Sequence, residues 1–266
     1  MYLPFNEHED AEKYISECTL GKGAFDKLRV IARYYLDEKY TDVAVREKLC
    51  EYVSRCGESF TLNIWSDMID SAIKRAKKTD AILINNITVT EPELQAISKL
   101  KGIQTQRFAF TLLCLKKYFS SIRPESDGWI CIPHSDLMKI SNIKAPLNKQ
   151  AELYRTLVSA GMIELPDKPS RVAIHVVMKD MNGKEEIRVN DFRNLGYQYM
   201  MYFGGPYFQC QECGLVVKQA DNKSKGRPPK YCQSCAVKVK IRQSTESVMR
   251  KYYDDISQKS ALLNPA

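Results

Sequence analysis

Four cysteines near the C-terminus constrain this chain more than any other feature. Cys210 and Cys213 flank two residues, eighteen residues follow, and Cys232 and Cys235 repeat the spacing. The two-residue gap lets both sulfurs of a pair turn toward one point. Two such pairs suit a tetrahedral Zn(II) held by four thiolates. A redox dithiol needs only one pair, so two matched pairs favour the metal. A four-thiolate site is closed to water, which makes the expected cofactor a structural Zn(II). The segment around it is too short to build a core of its own, so the ion is expected to stabilise it.

Gly214 follows the first pair, where a knuckle turn needs unusual φ. Leu215, Val216 and Val217 can begin a strand, and the second pair runs into the helical stretch AVKVKIRQSTESVMRKYY. A knuckle, a hairpin and a ligand pair at a helix start resemble a treble clef; a plain zinc ribbon would carry a second knuckle. Treble clefs of HNH-type nucleases also need histidines beside the metal, and none follows His175. The net charge of +8 is concentrated here: from Pro206 onward eleven Lys and Arg face five Asp and Glu. Four thiolates with Zn(II) offset two of those charges. The remainder favours a polyanionic partner, nucleic acid above all. Between the pairs, Lys223, Lys225, Arg227 and Lys230 form a basic loop suited to phosphates. Its Lys225-Gly226-Arg227-Pro228 resembles an AT-hook core, with lysine where arginine usually stands. The helix beyond adds Lys238, Lys240, Arg242, Arg250 and Lys251.

Residues 104–196 read as a second module. TQRFAFTLLCLKKYF is an apolar helix, Gly128 with WICIP a short strand, and HSDLMKISNI a short helix that His134 or Ser135 can cap. APLNKQAELYRTLVSAG is a further helix, and MIEL and RVAIHVVM form a hairpin around PDKPS. This order resembles a winged helix. The resemblance implies that the third helix offers Asn148, Lys149, Gln150 and Arg155, and the wing Lys168 and Arg171, to duplex DNA. Asn and Gln can read adenine and Arg guanine. Glu152 on the same helix opposes phosphate contact, and many winged helices bind protein instead.

Residues 1–103 are expected to be helical, with a short β-hairpin. The stretch LGKGAFDKLRV resembles a kinase glycine-rich loop, but Asp26 stands in place of its third glycine, and no V-A-I-K strand or H-R-D loop follows. Phe25, Leu28, Ile31 or Ala32, and Tyr35 instead recur at helical spacing. Further helices carry Val45, Leu49, Tyr52, Val53 and Cys56, then Ile64, Trp65, Met68, Ile69, Ala72, Ile73 and Ala76 inward. ILINNITV suggests a hairpin about Asn85-Asn86, and Thr90 to Glu93 spell a capping box.

The aromatic run from Tyr197 to Phe208 is expected to link and pack the zinc module (197–266) rather than to stack bases. Cys18, Cys50, Cys56, Cys114 and Cys131 are expected to be small buried hydrophobes. No apolar run reaches the roughly 20 residues of a membrane span, and the acidic N-terminus is no secretion signal. A cytoplasmic, mainly α (α+β) protein is expected. QTQRFAFTLLCLKKYF, DFRNLGYQYMMYFGGPYFQCQECG and KYCQSCAVKVK resemble uncharacterised proteins of phages and integrative elements of Gram-positive bacteria. That resemblance implies a mobile-element setting and a bacterial host cell. No paired carboxylates or nucleophile arrangement stand out. The expected function is therefore non-enzymatic DNA binding in transcription or replication, the alternative being an adaptor or inhibitor acting on a host or phage protein.

Overall fold

The computed structural model describes residues 3–57, 62–166, 173–219 and 229–263. They are mainly helical with small sheets. The chain divides into two compact units, one of Met1–Val89, Lys117–Asp127 and Arg188–Asn190, the other of Thr90–Lys116, Gly128–Ile187 and Asp191–Ala266.

In the first unit, α1 (Glu7–Glu17), α2 (Ala24–Asp37), α3 (Asp42–Arg55) and α4 (Leu62–Ala76) share one core. Leu28, Ile31, Val45, Leu49, Val53, Ile69 and Ala72 are fully buried in it. Each large aliphatic there contributes about 1.5–3 kcal/mol relative to exposure. The glycine-rich stretch is the approach to α2, with Gly23 at φ +82° as N-cap. Thr41 caps α3 through its side chain. Two expected core positions lie outside the core: Phe25 is exposed at the first turn of α2, and Ile64 at that of α4.

The hairpin expected about Asn85-Asn86 does not form. Leu83 bridges to Asn6, and Ile84 N–H donates to Phe5 O at 2.6 Å. The N-terminal segment has taken the hydrogen bonds that a local turn would have used. Glu7 reinforces this from full burial, accepting from Ile82 N–H at 3.1 Å and from Arg29 Nη2 at 2.6 Å. β1 (Ile87–Thr90) follows.

In the second unit, the capping box opens α5 (Glu91–Ser98), with Thr90 N–H donating to Glu93 Oε2 at 2.8 Å. α6 (Ile103–Ile122) then buries Phe108, Phe110, Leu112, Leu113 and Leu115. Next come β2 (Trp129–Ile130), α7 (His134–Ile140), α8 (Leu147–Ser159), β3 (Ile163–Glu164) and β4 (Ile174–Val176). The strands pair antiparallel in the order β2-β4-β3, matching Trp129 to His175 and His175 to Glu164. Ile130, Ile163, Ile174 and Val176 face inward. On the outer face Trp129 stacks on the His175 ring at 4.9 Å. Gly128 must be glycine: it sits at φ +81°, and a Cβ would lie 2.7 Å from Val176 O. His134 does not cap α7. Its ring instead bonds Tyr154 Oη at 2.8 Å and the Gln150 side chain, and Pro133 takes the N-cap position.

β5 (Glu185–Val189) precedes α9 (Leu195–Tyr202), where the aromatic run does pack rather than splay. Tyr199 is buried, 5.3 Å from Phe110, and its hydroxyl donates to Gln106 Oε1 at 3.2 Å. Tyr197 meets Tyr207 at 4.8 Å. Tyr202 and Phe203 remain exposed. The five scattered cysteines divide: Cys114 is buried as expected, Cys18, Cys50 and Cys56 are half-buried, and Cys131 is exposed. Cys131 alternates with buried Ile130 and Ile132 and so faces the opposite side of the chain. Among the described residues no helix is long and apolar enough to cross a membrane.

Candidate metal centre

β6 (Tyr207–Gln209) and β7 (Val216–Lys218) pair antiparallel, Tyr207 opposite Lys218 and Gln209 opposite Val216. The chain between them closes a knuckle. Cys210 N–H donates to Leu215 O, and Gly214 N–H to Cys210 O, each at 2.9 Å. Gly214 takes φ +70°, the left-handed turn that its lack of a Cβ permits. α10 (Gln233–Leu263) begins at the second pair, with Cys232 just before it and Cys235 in its first turn. Ala236 N–H donates to Cys232 O at 2.8 Å, and Gln211 N–H to Lys230 O at 3.0 Å, which seats the knuckle beside the helix start.

These elements bring the four Sγ atoms within 4.8 Å of one another, close enough to hold a metal ion. Cys213 and Cys232 are 3.8 Å apart. A tetrahedron with metal–sulfur bonds of about 2.3 Å has edges of about 3.8 Å, so the donor set and its spacing are compatible with zinc. Cys210, Cys232 and Cys235 are buried and Cys213 is half-buried, leaving little access for water.

The thiols are electrostatically unequal. The Ser234 hydroxyl and the Cys235 N–H lower Cys232 to about 6. Burial pushes Cys210 up, but the N–H groups of Cys232, Cys213 and Glu212 outweigh it and leave the thiol below its ordinary value. Burial raises Cys213, and burial with the neighbouring thiols pushes Cys235 up to about 12. One sulfur of each pair is therefore easier to deprotonate than its partner, and a cation would draw the proton from the other.

Two residues that the sequence reading passed over steady the knuckle. Arg193 Nη2 donates to Cys213 O at 2.9 Å while its Nε binds Asp191 at 2.6 Å. Asn194 Nδ2 donates to Val216 O at 3.0 Å, and its Oδ1 accepts from Asn142 at 2.8 Å. Asn194 holds φ +56° before α9, and an asparagine directly before a helical stretch was the signal available.

The expected nucleic-acid contacts are distributed. Asn148, Lys149 and Arg155 are exposed on α8, where Lys149 pairs with Glu152 at 2.9 Å. Gln150 is half-buried and spends its amide on His134 and Ala145 O. Lys230 and Lys238 are exposed, and Arg242 pairs with Glu212 at 3.0 Å. Lys168, Arg171, Lys223, Lys225 and Arg227 lie outside the described residues. Among the described residues, the four cysteines form a cluster that could hold a metal ion. Comparison with protein-family models, curated proteins and solved structures returns no match for this chain.

Proposed function

We propose that this chain is a non-enzymatic DNA-binding protein of a phage or other mobile element, regulating its transcription or replication. In this reading a winged helix makes the contact and a structural Zn(II) holds the treble-clef-like C-terminal module. The single observation that carries it is topological. α6, β2, α7, α8, β3 and β4 follow in that order, and the strands pair as β2-β4-β3. That order supports reading the unit as a winged helix, in which α8 would be the recognition helix.

Exposed Asn148 suits an adenine edge, Arg155 a guanine edge or phosphate, and Lys149 a phosphate. The basic surplus of the C-terminal segment supports a polyanionic partner. Four thiolates around zinc leave no open coordination position, which favours a structural ion. The mobile-element setting rests on the sequence resemblance.

The test is binding of the zinc-loaded protein to random duplex DNA across a salt series. A dissociation constant in the micromolar range or tighter is expected, weakening steeply with salt. Arg155→Glu should flatten the salt slope by about one. Absence of binding at low salt overturns the proposal.

A specific observation favours a second reading. Leu147 is 77% exposed and Val158 44% exposed on the same helix, with Leu165 48% exposed after it. Apolar side chains in that position suit a protein surface better than a charged groove. An adaptor or inhibitor acting on a host or phage protein would show retained partner capture and no duplex affinity.

A further inference from the structure

Cys18 and Cys56 are 38 residues apart, yet their sulfurs lie 3.5 Å from each other. Cys18 ends α1 in the left-handed conformation, φ +50°, and its N–H donates to Tyr14 O. Cys56 ends α3, one turn beyond Tyr52. Both residues are half-buried.

The contact is directional. Cys56 Sγ–H donates to Cys18 Sγ, and Arg55 Nη2 approaches the same sulfur at 3.8 Å. Arg55 is held in place by a second bond to Ile15 O at 2.8 Å. The Arg55 guanidinium and the Cys56 thiol proton are thus both directed at the Cys18 sulfur. Bond formation needs the sulfurs to close from that distance to about 2.05 Å.

We propose that Cys18 and Cys56 form a redox modification site for peroxides, with Cys18 as the attacking and Cys56 as the resolving cysteine. The Cys18 thiolate attacks one oxygen of hydrogen peroxide. The O–O bond breaks, an S–O bond forms, and the departing hydroxide takes up a proton to leave as water. Cys18 is oxidised by two electrons to the sulfenic acid while the peroxide is reduced. Cys56 then gives up its proton and attacks the Cys18 sulfur. The S–O bond breaks, the S–S bond forms, and a second water leaves. A small dithiol reverses the step by exchange. The bond would tie the end of α1 to the end of α3.

The experiment treats the full, zinc-loaded chain with hydrogen peroxide under native conditions, followed by alkylation and non-reducing peptide mapping. A Cys18–Cys56 cross-linked peptide is expected, removed by dithiothreitol, and formed faster than modification of exposed Cys131. Arg55→Ala should slow cross-linking several-fold. In Cys56→Ser, Cys18 should be trapped as a sulfenic acid by dimedone. Recovery of Cys18 and Cys56 as alkylated free thiols from the wild-type chain, while Cys131 is oxidised, overturns the proposal. That wild-type measurement does not depend on any variant folding.

Discussion

The backbone N–H of Cys232 donates to the sulfur of Cys210 across 3.3 Å, joining the two ligand pairs directly. The bond sets the knuckle beside the helix start, where one ion could reach all four sulfurs. Cys232→Ser removes one of the four ligands. We expect metal content to fall from about one equivalent per chain to near zero, because a closed tetrahedral site needs all four donors. The C-terminal module should become protease-sensitive while the first unit keeps its resistance. Unchanged metal content and digestion would refute the zinc assignment.

Uptake of the ion should release protons. Cys213 and Cys235 are held protonated by burial, so metal affinity is expected to rise with pH. Chelator competition at mildly acidic and mildly alkaline pH reads this directly. A pH-independent affinity would contradict it.

Asn194 joins Asn142 to the carbonyl of Val216 from a left-handed backbone. Asn194→Ala loses both bonds and keeps the strain, a cost of about 2–3 kcal/mol. Asn194→Gly loses the bonds but relieves the strain, and should recover about 1 kcal/mol of that. Urea unfolding of the two variants distinguishes them. Equal stability would mean that the backbone conformation carries no cost.

Glu7 is 1% exposed and satisfies both Arg29 and the N–H of Ile82. Truncation to alanine would leave a part-buried guanidinium and a backbone donor without their acceptor. The expected loss is about 3–5 kcal/mol. Thermal denaturation of Glu7→Ala measures it, and a shift too small to resolve would argue that water replaces the carboxylate.

Asp37 accepts from Arg33 and from His8 Nε2, the latter at 2.9 Å. Burial pushes its carboxyl up, but the two hydrogen bonds and the cationic neighbours prevail, leaving it below the ordinary value. A depressed folded value means stability that is complete above the unfolded aspartate range near ~3.9 and lost as pH falls through the lower folded value. Asp37→Asn should therefore cost about 1–3 kcal/mol at neutral pH. Its gap to wild type should close as pH drops below about 4. A gap that persists undiminished in acid would assign the loss to packing.

The elements legible in the sequence are those whose partners are local. Leu28 and Ile31, or Val45, Leu49 and Val53, announce buried helix faces by their spacing alone. Thr90 and Glu93 cap a helix within four residues, and each cysteine pair needs only its own turn. Features with distant partners could not be read. Leu83 reads as part of a local hairpin strand because nothing in its neighbourhood reveals Asn6 as its partner. Gln150 sits on the expected solvent face of α8, yet His134 draws it inward from sixteen residues away. Cys18 and Cys56 each look like an ordinary half-apolar position until α1 and α3 are packed together.

α10 is 31 residues long, roughly 46 Å by helical rise. Of its side chains described, Cys235 and Val239 are the two buried ones. β-branched Val237, Val239, Ile241 and Val248 make it a mediocre helix former. In a bare peptide the first turn is the improbable event, with a statistical weight of about 0.001. An ion clamping Cys232 and Cys235 would fix that turn in advance. The metal would then act as a seed crystal for the rod growing from it, and occupancy of the four sulfurs would set how far that rod extends.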